Sequence, residues 1–202
     1  SNWPYDWSSF VNPSYTPLTD ANFQTAVNLW FDNQADANST YGHISDWNTS
    51  AVTDMKNAFK DRTSFNEDIG DWDVSSVTTL YGMFNGASSF NQPIGNWNVS
   101  AVTNMQAMFS NASSFNQNIG SWNLGKVTNT NYMFSNASSF NQDIGAWSTP
   151  EVTKMRNMFY SASSFNQNID SWNVSSVTTM IAIFSNTPPL SNTNKGLMVV
   201  TE

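Results

Sequence analysis

Along this chain the apolar side chains return in the same order every 25 residues. Trp47, Trp72, Trp97, Trp122, Trp147 and Trp172 fall in one column. Each is preceded three residues earlier by Ile44, Ile69, Ile94, Ile119, Ile144 or Ile169, and followed five residues later by Val52, Val77, Val102, Val127, Val152 or Val177. Phe59, Phe84, Phe109, Phe134, Phe159 and Phe184 make a further column; Phe65, Phe90, Phe115, Phe140 and Phe165 close the units, with Leu190 in the sixth place. A strict period of about 20–50 residues marks an array in which each copy touches mainly its neighbours. One copy alone does not hold together. Its nine inward candidates contribute about 1.5–3 kcal/mol each when buried, whereas ordering the backbone costs about 1–2 kcal/mol per residue. Each copy is therefore the surface on which the next buries its rings.

Within a copy the period changes. In "IGNWNVS", residues 94–100, Trp97 and Val99 alternate with Asn96, Asn98 and Ser100, the pattern of a short strand. Val102, Met105, Met108 and Phe109 then share one face of a short helix that Ser100 is placed to cap. "NASSFNQ" turns the chain back, and the column Asn66, Asn91, Asn116, Asn141, Asn166 reads as a ladder bonding the backbone of neighbouring copies. Ahead of the repeats, Phe23, Ala26, Val27, Trp30 and Phe31 define an amphipathic helix over about 19–32, N-capped by Thr19 or Asp20, which covers the open end of the first coil. The expectation is an α/β repeat fold with one short strand and one short helix per 25-residue coil. Residues 1–43 form the N-terminal cap, 44–190 hold six repeats with the last partial, and 191–202 form an apolar edge or a linker to a further region.

The string Val-x-x-Met-x-x-Met-Phe-x-x-Ala-x-x-Phe followed by Ile-x-x-Trp-x-Val resembles the BspA-like leucine-rich repeats of bacterial surface proteins and lipoproteins, over residues 44 to about 190. The resemblance implies a right-handed leucine-rich-repeat-like solenoid, with the strands on a concave side, and a role in attachment or surface interaction. Trp and Phe stand here where such repeats usually carry Leu. Thr130 breaks the Met column of its unit, with Tyr132 nearby as compensation.

Composition narrows the chemistry. Cysteine is absent, which excludes disulfides, thiolate metal sites and cysteine nucleophiles. A net charge of −8 with only seven Lys and Arg argues against nucleic acid. No run of about 18 apolar residues is present to span a membrane. The charge is uneven: residues 1–75 carry eleven acids and three bases, the remainder four of each.

Catalytic candidates are few. His43 is the one histidine and has no second His, Cys or aligned Ser–base pair in the sequence around it. Asp46, Asp68, Asp71 and Asp73 form a weak candidate cluster for Ca²⁺; otherwise no cofactor is expected. The Trp and Met columns read as core. The outward rows carry the binding expectation: Asn48, Asp73, Asn98, Asn123, Ser148 and Asn173 in one, and Asn96, Ser121 and Ser171 in the next. Sequons at Asn38, Asn48, Asn98, Asn111, Asn136 and Asn173 matter only in a eukaryotic secretory pathway. The expected function is a non-catalytic recognition or adhesion module, extracellular or at the cell surface and monomeric when isolated, binding a protein, peptide or glycan on its polar strand face. Two alternatives stand beside it: an ice-binding surface built on Thr53, Thr78, Thr103, Thr128, Thr153 and Thr178, and a spacer whose length alone matters.

Overall fold

The structure, a computed structural model, describes residues 15–188. Among them the helices are α1, Phe23–Asp32, and α2, Gln34–Tyr41, with a single 3-10 turn at Ile44–Asp46. Extended pairing is confined to isolated parallel bridges, Asp54 to Thr79, Thr79 to Asn104, Asn104 to Asn129, Asn129 to Lys154 and Lys154 to Thr179, one residue per coil. The expected right-handed α/β solenoid of leucine-rich-repeat type, with a strand and a helix in each coil, is therefore overturned. The coils stack in register, but each is built from turns.

Hydrogen-bond partners explain the difference. The helix expected over Val102–Phe109 does not form, because Ala107 and Asn111 adopt left-handed backbone with φ of 55° and 59°. The N–H groups of Met105, Ala107, Phe109 and Asn111 donate to the carbonyls of Asn129, Asn131, Met133 and Ser135 in the next coil, at 2.8–3.0 Å. Met108 and Ser110, lying between them, close tight turns on Met105 and Ala107 at 3.2 Å. The strand fails for a related reason. Trp97 N–H bonds the Ile94 carbonyl (3.2 Å) and Val102 N–H bonds the Val99 carbonyl (2.9 Å), so two turns occupy the stretch that alternates in polarity. Asn and Asp side chains satisfy further turn donors: Asn98 Oδ1 accepts from Ser100 N–H, Asn118 Oδ1 from Gly120 N–H, and Asn104 Oδ1 from Gln106 N–H. This is the physical reason for a sequence so rich in Asn and Ser.

The core runs the length of the stack. Phe59, Phe84, Phe109, Phe134, Phe159 and Phe184 stack at 5.6 Å between successive centroids, within 9° of parallel. A second Phe column lies beside the first, with Phe84–Phe90 and Phe109–Phe115 at 3.9 Å. The Trp column is buried. Each indole N–H from Trp72 to Trp172 donates to the Ile carbonyl of the preceding coil, at 2.8–3.2 Å, so the ring packs and its one polar atom is satisfied. The Asn ladder is present: the N–H groups of Asn91, Asn116, Asn141 and Asn166 each bond the Oδ1 of the Asn one coil earlier, at 2.8–2.9 Å. Thr130 is buried, and its hydroxyl donates to the Lys154 carbonyl at 3.0 Å; Tyr132 lies outside the core and fills no gap there.

At the N-terminal end α1 lays Phe23, Ala26, Val27 and Trp30 on the first coil. Trp30 meets Trp47 edge-on at 6.3 Å and Phe23 meets Trp72 at 5.8 Å. Neither Thr19 nor Asp20 caps α1. Asn22 holds the cap position, but its side chain bonds Thr19 N–H and the Pro17 carbonyl and not the helix, and Asp20 caps the coil stack instead. Its carboxylate accepts from Thr53 N–H (2.7 Å), Thr53 Oγ1 (2.6 Å) and Asp54 N–H (3.1 Å). In later coils the carbonyl of the preceding Thr takes the equivalent N–H, as Thr53 does for Thr78 at 2.8 Å. Asp20 thus stands in for a coil that is not there. Helix α2 has no sequence expectation behind it because it buries only Ala37 and so shows no apolar stripe. The expected edge or linker at 191–202 and the start of the expected cap, residues 1–14, lie outside the described residues.

Candidate functional site

The residues singled out from the sequence share one exposed edge flanking the Trp column: Asn48, Asp73, Asn98, Asn123, Ser148 and Asn173 in one row, Asn96, Ser121 and Ser171 in the next. Turns, not strands, position them. In the first row the side-chain oxygen faces the chain's own backbone: Asn48 accepts from Ser50 N–H, Asp73 from Ser75, Asn98 from Ser100, Asn123 from Gly125 and Asn173 from Ser175, at 2.9–3.2 Å. The exception is instructive. Where Pro150 supplies no N–H two residues on, the column holds Ser148 in place of an amide or acid. Because each Asn oxygen is committed, each amide Nδ2 of Asn48, Asn98, Asn123 and Asn173 points away from the turn and has no partner among the described residues.

The second row is partly committed as well. Ser121 Oγ donates to the Gly95 carbonyl at 3.1 Å, and Ser171 Oγ donates to the Gly145 carbonyl. Beside Asn96 and Ser121 lies a shallow depression of about 280 Å³, bounded by Pro93, Gly95, Gln117 and Asn118. A matching one of about 340 Å³ lies two coils on, around Asp143, Gly145, Ala146, Asn168, Asp170 and Ser171. The glycines there answer to packing: a Cβ at Gly95 would come 2.4 Å from the Asn118 carbonyl oxygen of the next coil.

Asp46, Asp68 and Asp73 are engaged locally, and Asp71 is exposed. Asp46 accepts from Ser45 Oγ and Asp68 from Gly70 N–H. The Ser75 hydroxyl, then its N–H, holds the Asp73 carboxyl below the ordinary carboxylate range against a smaller opposing effect of burial. Among the described residues no three His, Asp or Glu side chains gather as a metal site. His43 is exposed, its Nδ1 taking the Ser45 N–H, with Trp30 edge-on at 4.9 Å. The hydroxyls of Thr78, Thr103, Thr128, Thr153 and Thr178 each donate to the carbonyl of the Thr one coil earlier, at 3.0–3.2 Å.

A second surface was not anticipated from the sequence. The bridge-forming residues and the turns after them turn two columns outward, beginning at Asp54 and Lys56, while Met55, Ala58 and Phe59 are buried; the columns beginning at Asn57 and Lys60 reach the surface in some coils only, with Gly82, Ser110 and Ser135 buried. The column beginning at Lys56 continues through Tyr81, Gln106, Asn131, Arg156 and Ile181, never repeating. That divergence, set against invariant Trp, Val and Phe columns, was the readable signal. Side chains of successive coils touch across it: Lys56 sits over the Tyr81 ring at 5.4 Å, and Asn129 Nδ2 donates to Gln106 Oε1 at 2.9 Å.

Among the described residues no helix is long and apolar enough to cross a membrane. A family model described as "Mycoplasma protein of unknown function, DUF285" matches residues 25–140 and 96–197, two overlapping stretches that together run from within α1 through all of the coils. No curated protein and no solved structure matches the chain.

Proposed function

The chain belongs to the DUF285 family of repeat proteins, and from that premise we propose that it is a non-catalytic recognition module acting outside the cell or at its surface, binding a protein, peptide or glycan. The likeness of its repeat string to BspA-like surface repeats supports the location. The observation that carries the reading is the row of amide donors at Asn48, Asn98, Asn123 and Asn173, each held by its own turn with Nδ2 outward. The stack sets them two coils, one coil and two coils apart, with Asp73 and Ser148 between, and a preorganised surface loses little conformational freedom when a ligand arrives. Acceptor-rich ligands, sugars or peptide carbonyls, suit such a row. The module needs no cofactor for this and works as a monomer.

The turn itself supplies a clean test. Asp73 shows that the column accepts an acid, which keeps the oxygen the turn needs and removes the amide donor. The pair Asn98→Asp and Asn123→Asp should leave the melting temperature within about 2 °C, as expected for exposed substitutions that keep their hydrogen bond. Ligands found by screening the full chain on glycan and protein arrays should bind the double variant at least about tenfold more weakly, the scale of one or two lost hydrogen bonds. A ligand that binds both proteins equally places recognition elsewhere. Turnover of a substrate by the chain would sink the non-catalytic reading outright.

A further inference from the structure

We propose that the bridge-side face, separate from the amide row, is a docking surface for an acidic polypeptide segment of a partner protein, centred on Tyr132, Lys154, Arg156, Tyr160 and Ile181. The backbone ties these residues together across coils. Tyr132 N–H donates to the Arg156 carbonyl, Asn136 N–H to the Tyr160 carbonyl and Asn157 N–H to the Ile181 carbonyl, at 2.8–2.9 Å, while the Lys154 carbonyl takes the Thr130 N–H at 2.9 Å. Arg156 is set by the coil before it, its N–H bonded to Asn131 Oδ1 at 2.7 Å. Tyr160 is steadied through its hydroxyl, which accepts from Asn186 Nδ2 at 2.9 Å.

Three properties point to the partner. The first is charge: in a chain of net charge −8, the outward columns of this face hold no acid from Thr79 to Asn186 and carry Lys154 and Arg156. Neither has a carboxylate partner among the described residues. The second is apolar exposure. Ile181 is 62% exposed and, with Tyr15, makes up the exposed large hydrophobic residues among those described. It sits one coil from Arg156 in the same column. The third is residue type: Tyr and Arg are the side chains that most often carry binding energy in protein interfaces, and neighbouring amides and hydroxyls supply a polar rim. Unpaired cations attract an acidic ligand, while two rings and an aliphatic side chain favour a polypeptide with apolar groups over a bare polyanion. The column that holds Arg156 and Ile181 differs in every copy, which fits a surface read residue by residue and freed from the stacking that holds the Trp, Val and Phe columns constant.

The test uses the full chain and a fluorescent twelve-residue peptide of alternating Glu and Tyr, followed by anisotropy. Saturable binding is expected, weakening as salt rises. Arg156→Ser and Ile181→Ser should each reduce affinity at least tenfold without lowering the melting temperature, since both side chains are exposed. Lys126→Ser, an exposed cation outside these columns, should leave it unchanged, which separates docking at this face from attraction to any cation of the chain. A peptide with Lys in place of Glu should not bind. Absence of binding, or indifference to both Arg156→Ser and Ile181→Ser, overturns the proposal. So does heparin binding as tightly as the peptide while ignoring Ile181→Ser, which would make the face a site for anionic polysaccharide.

Discussion

Replacing Ala107 with Gly separates a coil built from turns from one that contains a helix. Ala107 lies within Val102–Phe109, the stretch whose spacing predicts a helix, and in a helix interior Ala→Gly costs about 1 kcal/mol. In the structure Ala107 has φ of 55° and sends its N–H to Asn131 in the next coil. Left-handed backbone costs an L-residue about 1–2 kcal/mol, which glycine avoids; glycine gives back about 0.4–1 kcal/mol through its freer unfolded chain. The net expectation is a gain of about 0.5–1 kcal/mol, opposite in sign to the helical case. In a chain of this size that raises the melting temperature by roughly 1–4 °C, measurable by calorimetry or by Trp fluorescence during urea unfolding. Gly82 is the control from the same column. Its φ is 60°, and a Cβ there would meet Asn57 Oδ1 at 2.4 Å, so Gly82→Ala should lose about 1–3 kcal/mol. A lower melting temperature for Ala107→Gly would refute the turn geometry.

Three further outcomes follow from the stacking bonds. Trp122→Phe removes one of the two donors to the Ile94 carbonyl, which keeps the Trp97 N–H, and leaves a gap beside the Phe column; a loss of about 1–3 kcal/mol should appear in urea unfolding. Asn116→Ala deletes the oxygen that receives Asn141 N–H and Gln142 Nε2, so stability should drop by about 1–2 kcal/mol and exchange of the Asn141 amide hydrogen should accelerate. Asp20 is held below its ordinary value of 3.8, chiefly by the Thr53 hydroxyl and then by the N–H groups of Thr53 and Asp54, against the opposing effect of burial. Its contribution is therefore complete above that ordinary value and disappears as pH falls through the lower folded one. Asp20→Asn should melt lower than the parent at neutral pH, and the difference should close in strong acid; a gap that persists there would mean the charge is not what caps the stack.

The binding surfaces were legible to different degrees. Asn98 and Asn123 can be placed on an outward edge by their position beside Trp97 and Trp122, whose size and strict recurrence require burial. That their oxygens are consumed by Ser100 and Gly125, leaving only a donor to offer, depends on a turn that the alternation of polarity disguises as a strand. Arg156 and Ile181 fall in one column of the 25-residue register, but that this column faces solvent beside the buried Met155 and Phe159 depends on turns that no local pattern announces. Asp20 is similar: beside α1 in sequence it reads as a helix cap, and only the fold carries it to Thr53.

The register of the coils was already written in the repeat. Identical large rings at a fixed interval can be dried in one economical way, by each copy lying on the next, so the columns of Trp, Phe, Ile and Val declare the stack and its core before any coordinates. The path of the backbone inside each coil emerged only from the folded chain. Periodicity reports which side chains are buried, and a helix face, a strand and a chain of turns can bury the same ones. The choice lay with the N–H groups of residues such as Met105, Ala107 and Phe109, whose acceptors sit in the next coil, where no local pattern could point to them.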